Sequence, residues 1–104
     1  MKTQVIHDLQ DVIAKIVELL GIANESMWQS NFISMLRLSD QIDNEDALLK
    51  FCEGVISNFR GMGSLNDLVL QQNGKVMIAE NDKLEILKDK LYKEAERIIL
   101  KIKN

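Results

Sequence analysis

Proline is absent from this chain of 104 residues, so no pyrrolidine ring breaks a helix or fixes a turn. A single cysteine, Cys52, excludes an internal disulfide, and a free thiol fits a reducing compartment. The one histidine, His7, leaves no His/Cys spacing that would suit zinc. Aromatic residues make up only 5%, so Leu, Ile, Val and Met must fill the core. No apolar run approaches the ~20 residues of a membrane span. The stretch "MKTQVIHDLQD" puts Asp8 and Asp11 where a signal peptide would need its apolar region. A cytoplasmic protein that neither crosses nor enters a membrane is expected.

What is present is ordinary in amount but uneven in placement. Hydrophobic residues are 46% and charged residues 28%, and the net charge is −3. That balance argues against nucleic acid as a partner, because phosphate binding needs concentrated Lys and Arg. Residues 1–60 carry nine acids and five bases; the remaining residues carry seven and eight. The acidity therefore sits in the first half.

Helical periodicity marks four segments. The first, about Thr3–Leu20, places Val5, Ile6, Leu9, Val12, Ile13, Ile16, Val17 and Leu20 on one broad face. Gly21 reads as its stop, since glycine accepts the left-handed conformation there. The second, about Glu25–Gln41, takes Asn24 as its N-cap and packs Trp28, Phe32, Met35 and Leu36, with Leu38 a further candidate for that face. The third, about Glu45–Phe59, is capped by Asn44 or Asp43 and carries Leu48, Phe51, Cys52, Val55, Ile56 and Phe59. The fourth, about Asp82–Lys103, is capped by Asn81 or Asp82. Its seam is Leu84, Leu87, Leu91, Ala95, Ile98 and Ile102, with Ile86, Tyr92 and Ile99 beside it.

Between the third and fourth segments the period changes. In "DLVLQQNGKVMIAE" two short apolar runs flank Asn73-Gly74, the strongest two-residue hairpin signal, because a type I′ turn needs positive φ at both central positions. That register pairs Gln72 with Lys75, Leu70 with Met77 and Leu68 with Ala79, and it puts Val69, Val76 and Ile78 on the opposite face. The expected fold is mainly α: one domain over residues 1–104, a four-helix bundle-like core with a β-hairpin at about 67–80.

Three of the five glycines, Gly61, Gly63 and Gly74, fall in this region. Phosphate loops place glycines after a strand and before a helix. Here Gly61 and Gly63 follow a helix and precede a strand, and "GMGSLND" lacks the P-loop Lys. A structural turn is expected, with Ser64, Asn66 and Asp67 bonding their own backbone. Ser64 lacks the second glycine and the base of a nucleophile elbow. Asp67 and Glu80 would face each other across the open end of the hairpin, where carboxylates are usually solvated. Cys52 lies in an apolar stripe without a partner His. No catalytic constellation, cofactor site or metal site is expected, and the chain does not read as an enzyme.

Two surface features stand out. "SDQIDNED" gathers Asp40, Asp43, Glu45 and Asp46 into one short connection. Acids near a helix N-terminus favour the macrodipole, and the same cluster offers a negative patch that would steer a basic partner. Trp28, beside Met27, is a candidate interface anchor as well as a candidate core residue.

The segment "GMGSLNDLVL", with "NDKLEILKDKLYKEAERI" after it, resembles a family of small bacterial proteins of uncharacterised role. That family is marked by a Gly-Met-Gly-Ser-Leu/Phe-Asn-Asp turn, a short hairpin and a Leu-rich C-terminal helix. The matching positions are Gly61, Met62, Gly63, Ser64, Leu65, Asn66, Asp67, Leu84, Leu87, Leu91 and Tyr92, and "SMWQSNFISML" is a looser match upstream. No catalytic residue carries over. In size, acidity and lack of a site, the chain also resembles the immunity proteins that neutralise contact-dependent or polymorphic bacterial toxins, many of them basic nucleases. The resemblance implies a non-catalytic inhibitor whose partner is a basic toxin domain, met through Asp40, Asp43, Glu45, Asp46 and Trp28. The alternative is a homo-oligomeric structural or regulatory module, for instance a homodimer.

Overall fold

Four helices and one hairpin form in chain order, as the periodicity predicts. The computed structural model describes residues 3–61 and 63–104; Met62 of the glycine turn lies outside them. Helix α1 is Thr3–Ile22, α2 is Ser26–Ser39, α3 is Glu45–Ser57 and α4 is Ile78–Lys103. A short 3-10 turn at Leu65–Asp67 and two strands, β1 (Gln71–Gln72) and β2 (Lys75–Val76), lie between α3 and α4.

The helices run alternately up and down. Gln29 Nε2 at the start of α2 donates to the Val17 carbonyl late in α1 (3.2 Å). Gln10 Nε2 early in α1 donates to Ser39 Oγ and to Asp40 Oδ1 beyond the end of α2 (2.8 Å each). Helix α1 packs on α2 and α4, α4 packs on α1 and α3, and α2 touches α3 only lightly. The bundle is thus a ring with one loose seam. Its core is aliphatic: Leu9, Ile13, Ile16 and Leu20 of α1, Phe32 of α2, Cys52 and Val55 of α3, and Leu84, Leu91 and Ala95 of α4 are essentially solvent-free. Leu65 and Leu70 seal the end beneath the turn and hairpin.

Several boundaries differ from the sequence expectation. Gly21 does not stop α1; the helix runs on to Ile22. A Cβ there would lie 2.6 Å from the Gln29 amide nitrogen, so a side chain would displace the flexible amide that bonds the Val17 carbonyl. The stop is Asn24, with φ +59, and the Glu25 N–H returns to the Leu20 carbonyl (2.9 Å). Asn24 is therefore a left-handed C-terminal cap and not the N-cap of α2. Asn44 caps α3 as expected, its side chain accepting from the Ala47 N–H (2.8 Å).

Helix α4 begins at Ile78, about a turn earlier than expected, so Ala79 is helical and never pairs with Leu68. The hairpin is correspondingly shorter than 67–80. Its register is the expected one, with Gln72 opposite Lys75 and the Met77 N–H bonded to the Leu70 carbonyl (2.9 Å). Asn73 and Gly74 have φ +53 and +77, the type I′ signature. Asn81 is not a cap. Its backbone N–H takes the Met77 carbonyl (2.8 Å), the group that the Leu70 N–H would otherwise meet. Asn81 Oδ1 accepts that stranded N–H (2.8 Å), and Nδ2 donates to the Leu70 and Met77 carbonyls (3.0 and 2.8 Å). One side chain thus replaces the missing rung where strand gives way to helix.

Candidate partner-binding site

The glycine turn spends its polar groups internally. Gly61 and Gly63 hold φ +86 and +73, which side-chain-bearing residues rarely adopt. Asn66 Nδ2 donates to the Phe59 carbonyl (2.8 Å). Asp67 Oδ2 accepts the Gly63 N–H (2.8 Å), and Ser64 Oγ accepts the Asn66 N–H (3.3 Å). Glu80 sits in the first turn of α4, and no carboxylate pair forms at a hairpin mouth: Asp67 is turned to the Gly63 amide. Ser64, Asn66 and Asp67 thus fasten the turn to the end of α3.

Cys52 is fully buried, and burial, with the nearby charge of Glu94 adding, pushes its thiol up to about 12. Thiolate chemistry is closed to it. His7 is exposed on α1. Among the described residues, no group of His, Cys, Asp and Glu converges to hold a metal ion.

One charged residue is placed where sequence reading does not look for it. Lys88 is 3% exposed, and its Nζ reaches Glu85 Oε1 at 2.8 Å. The signal was available in the spacing. Leu84, Leu91, Ala95 and Ile98 are the buried face of α4, and the four-then-three alternation of that face passes through position 88, not through Leu87. Lys88 borders a small recess with Phe59, Asn66, Glu85, Asp89 and Tyr92, where Phe59 and Tyr92 meet edge to face at 5.2 Å. A long apolar stem behind a charged tip suits that position.

The open seam between α2 and α3 has room for a partner. Two adjoining hollows share Leu38, Lys50 and Phe51. One continues along the helices to Met35, Gly54 and Val55; the other reaches Ile42 and Ala47 in the connection. Together they make a single apolar groove. Leu38 is 57% exposed, and the space above Gly54 is empty. A small residue there lets another chain approach the α3 backbone.

The groove closes at the α2–α3 connection, where Asp40, Asp43, Glu45 and Asp46 are all exposed. Asp40 accepts from Gln10, Asp43 accepts from Asn44 Nδ2 (2.8 Å), and Asp46 pairs with Lys50 (3.1 Å). Glu45 starts α3 and favours its dipole. None of the four lines the groove: Asp40 is held towards α1 by Gln10, and Glu45 borders a hollow on the other side of α3 with Val5, Arg97 and Lys101. Trp28 is not with the carboxylates. It stands near the other end of α2, ~18 Å away by helical rise, half-buried and tilted against Phe32 at 6.4 Å.

Among the described residues, no helix is long and apolar enough to cross a membrane. A family profile described as a domain of unknown function, DUF6966, matches residues 22–78, and the chain belongs to that family. The matched segment holds α2, the acidic connection, α3, the glycine turn and the hairpin, and so the whole groove. No curated protein and no solved structure matches the chain.

Proposed function

We propose that this DUF6966 member is a binding protein without catalysis, an immunity protein that neutralises a bacterial toxin, of nuclease type, by direct docking. The observation that carries the reading is the apolar α2–α3 groove, which adjoins a connection bearing four exposed carboxylates. A basic toxin domain would be drawn in by the carboxylates, which raise the association rate more than the final affinity. An apolar ridge of the toxin would then settle over Met35, Leu38 and Phe51, where burial supplies the lasting attraction. Inhibition follows from coverage: a bound acidic protein masks the toxin's active site or its path to a negatively charged substrate.

The test is capture of the product of the neighbouring gene, paired with rescue of cells that express it. Binding that weakens with added salt, and more sharply with Leu38→Asp, supports the reading. A neighbouring toxin neither bound nor neutralised removes the immunity role. Binding unchanged by Leu38→Asp removes the groove.

A further inference from the structure

A second surface, on the opposite side of the ring from the groove, carries a different pattern. Along the line where α1 meets α4, Glu18 and Ile22 of α1 face Lys83 and Ile86 of α4 across a shallow trough floored by Leu19 and Leu87. Ile22 is 54% exposed and Ile86 is 69% exposed. Single exposed apolar residues are common and need no explanation. Two large isoleucines from facing helices in one trough are a patch.

The charges decide what fits. Lys15, at the edge of the trough, is already paired with Asp11 at 3.2 Å. Glu18 and Lys83 have opposite signs, and among the described residues neither has an ion-pair partner. A basic or acidic foreign protein would satisfy one and oppose the other. A two-fold axis through the trough sets the same patch against itself. The isoleucines then meet isoleucines, and Glu18 of each copy lies opposite Lys83 of the other. The patch is neutral, apolar at its centre and complementary to its own image.

We propose that the α1–α4 face is where two copies of this chain associate, leaving the α2–α3 groove of each copy open. The experiment is sedimentation across micromolar to millimolar concentrations for the intact chain, Ile86→Glu, Glu18→Lys, and Glu18→Lys combined with Lys83→Glu. All three positions are exposed, and circular dichroism checks that helix content is kept. The expected result is a reversible dimer, lost in Ile86→Glu, weakened about tenfold or more by Glu18→Lys alone through like-charge apposition, and recovered in the double reversal. A strict monomer throughout overturns the proposal, as does a dimer indifferent to Ile86→Glu or not recovered by the double reversal. Toxin capture by the Ile86→Glu variant separates the two surfaces: retained capture fits a dimer face, while loss of capture with the dimer intact assigns this face to the toxin and overturns the proposal.

Discussion

Two polar connections flank α3, and their side chains find different partners. In the turn after it, Asn66, Asp67 and Ser64 bond the backbone of their own segment, and the Leu65 N–H returns to the Asn58 carbonyl (2.8 Å). In the connection before it, Asn44 alone caps the helix, while Asp40, Asp43, Glu45 and Asp46 stay exposed. Both segments read as Asn- and Asp-rich loops. What separates them is whether a backbone donor lies within reach. A carboxylate or amide that meets one fastens its own segment, whereas Asp40, Asp43 and Asp46 meet only side chains, those of Gln10, Asn44 and Lys50.

The contrast is most exposed to failure at Leu65. It is solvent-free beneath the turn, so Leu65→Ala should lower unfolding free energy by about 3 kcal/mol in urea titration. An unchanged midpoint would mean that the turn is not anchored in the core. Gly63→Ala tests the backbone itself. Nothing obstructs a new Cβ there, so only the left-handed φ matters, and a loss of about 1–2 kcal/mol is expected.

Lys88, behind the turn, should respond in the other direction. Lys88→Met keeps the stem and removes a buried charge, leaving Glu85 in water. Stability should hold or rise by about 1 kcal/mol, and a large loss would assign the ion pair a structural part. On the other side of α3, Asp43→Asn should change stability by less than about 0.5 kcal/mol, yet slow association with a basic partner in stopped-flow mixing at low salt.

Between the two connections, Cys52 has no visible effect at neutral pH. Burial, with the Glu94 charge adding, pushes its thiol from the ordinary thiol range up to about 12. The folded state thus keeps a proton that the unfolded chain releases, so stability is undiminished below that range and declines as pH rises towards 12. Alkylation of Cys52 at pH 8 should wait for unfolding; labelling as fast as that of a free thiol would show that α3 opens readily.

Periodicity carried most of the fold because every helix has a continuous apolar face, and Asn73-Gly74 carried the hairpin because few other dipeptides take its φ values. The misplaced boundaries share one cause. Gly21, Asn24 and Asn81 have local roles that suit a helix end, but each answers to a partner distant in sequence or to the neighbouring turn: Gln29, Leu20 and Leu70. Lys88 hid because its type overrode its position. The carboxylates of the acidic connection were legible as a cluster. The groove beside them was not, since Leu38 and Phe51 look like core residues until α2 and α3 are seen to part.

The Asn81 clasp ties the ribbon's Leu70 to the first turn of α4 with two hydrogen bonds and holds the Met77 carbonyl with a third. Ribbon and helix should therefore loosen in a single step, as one cooperative unit. The Leu70 amide would then exchange with deuterium at the pace of the opening turns of α4, well behind the strand tips, and a ligand gripping the ribbon would slow exchange along that end of the long helix.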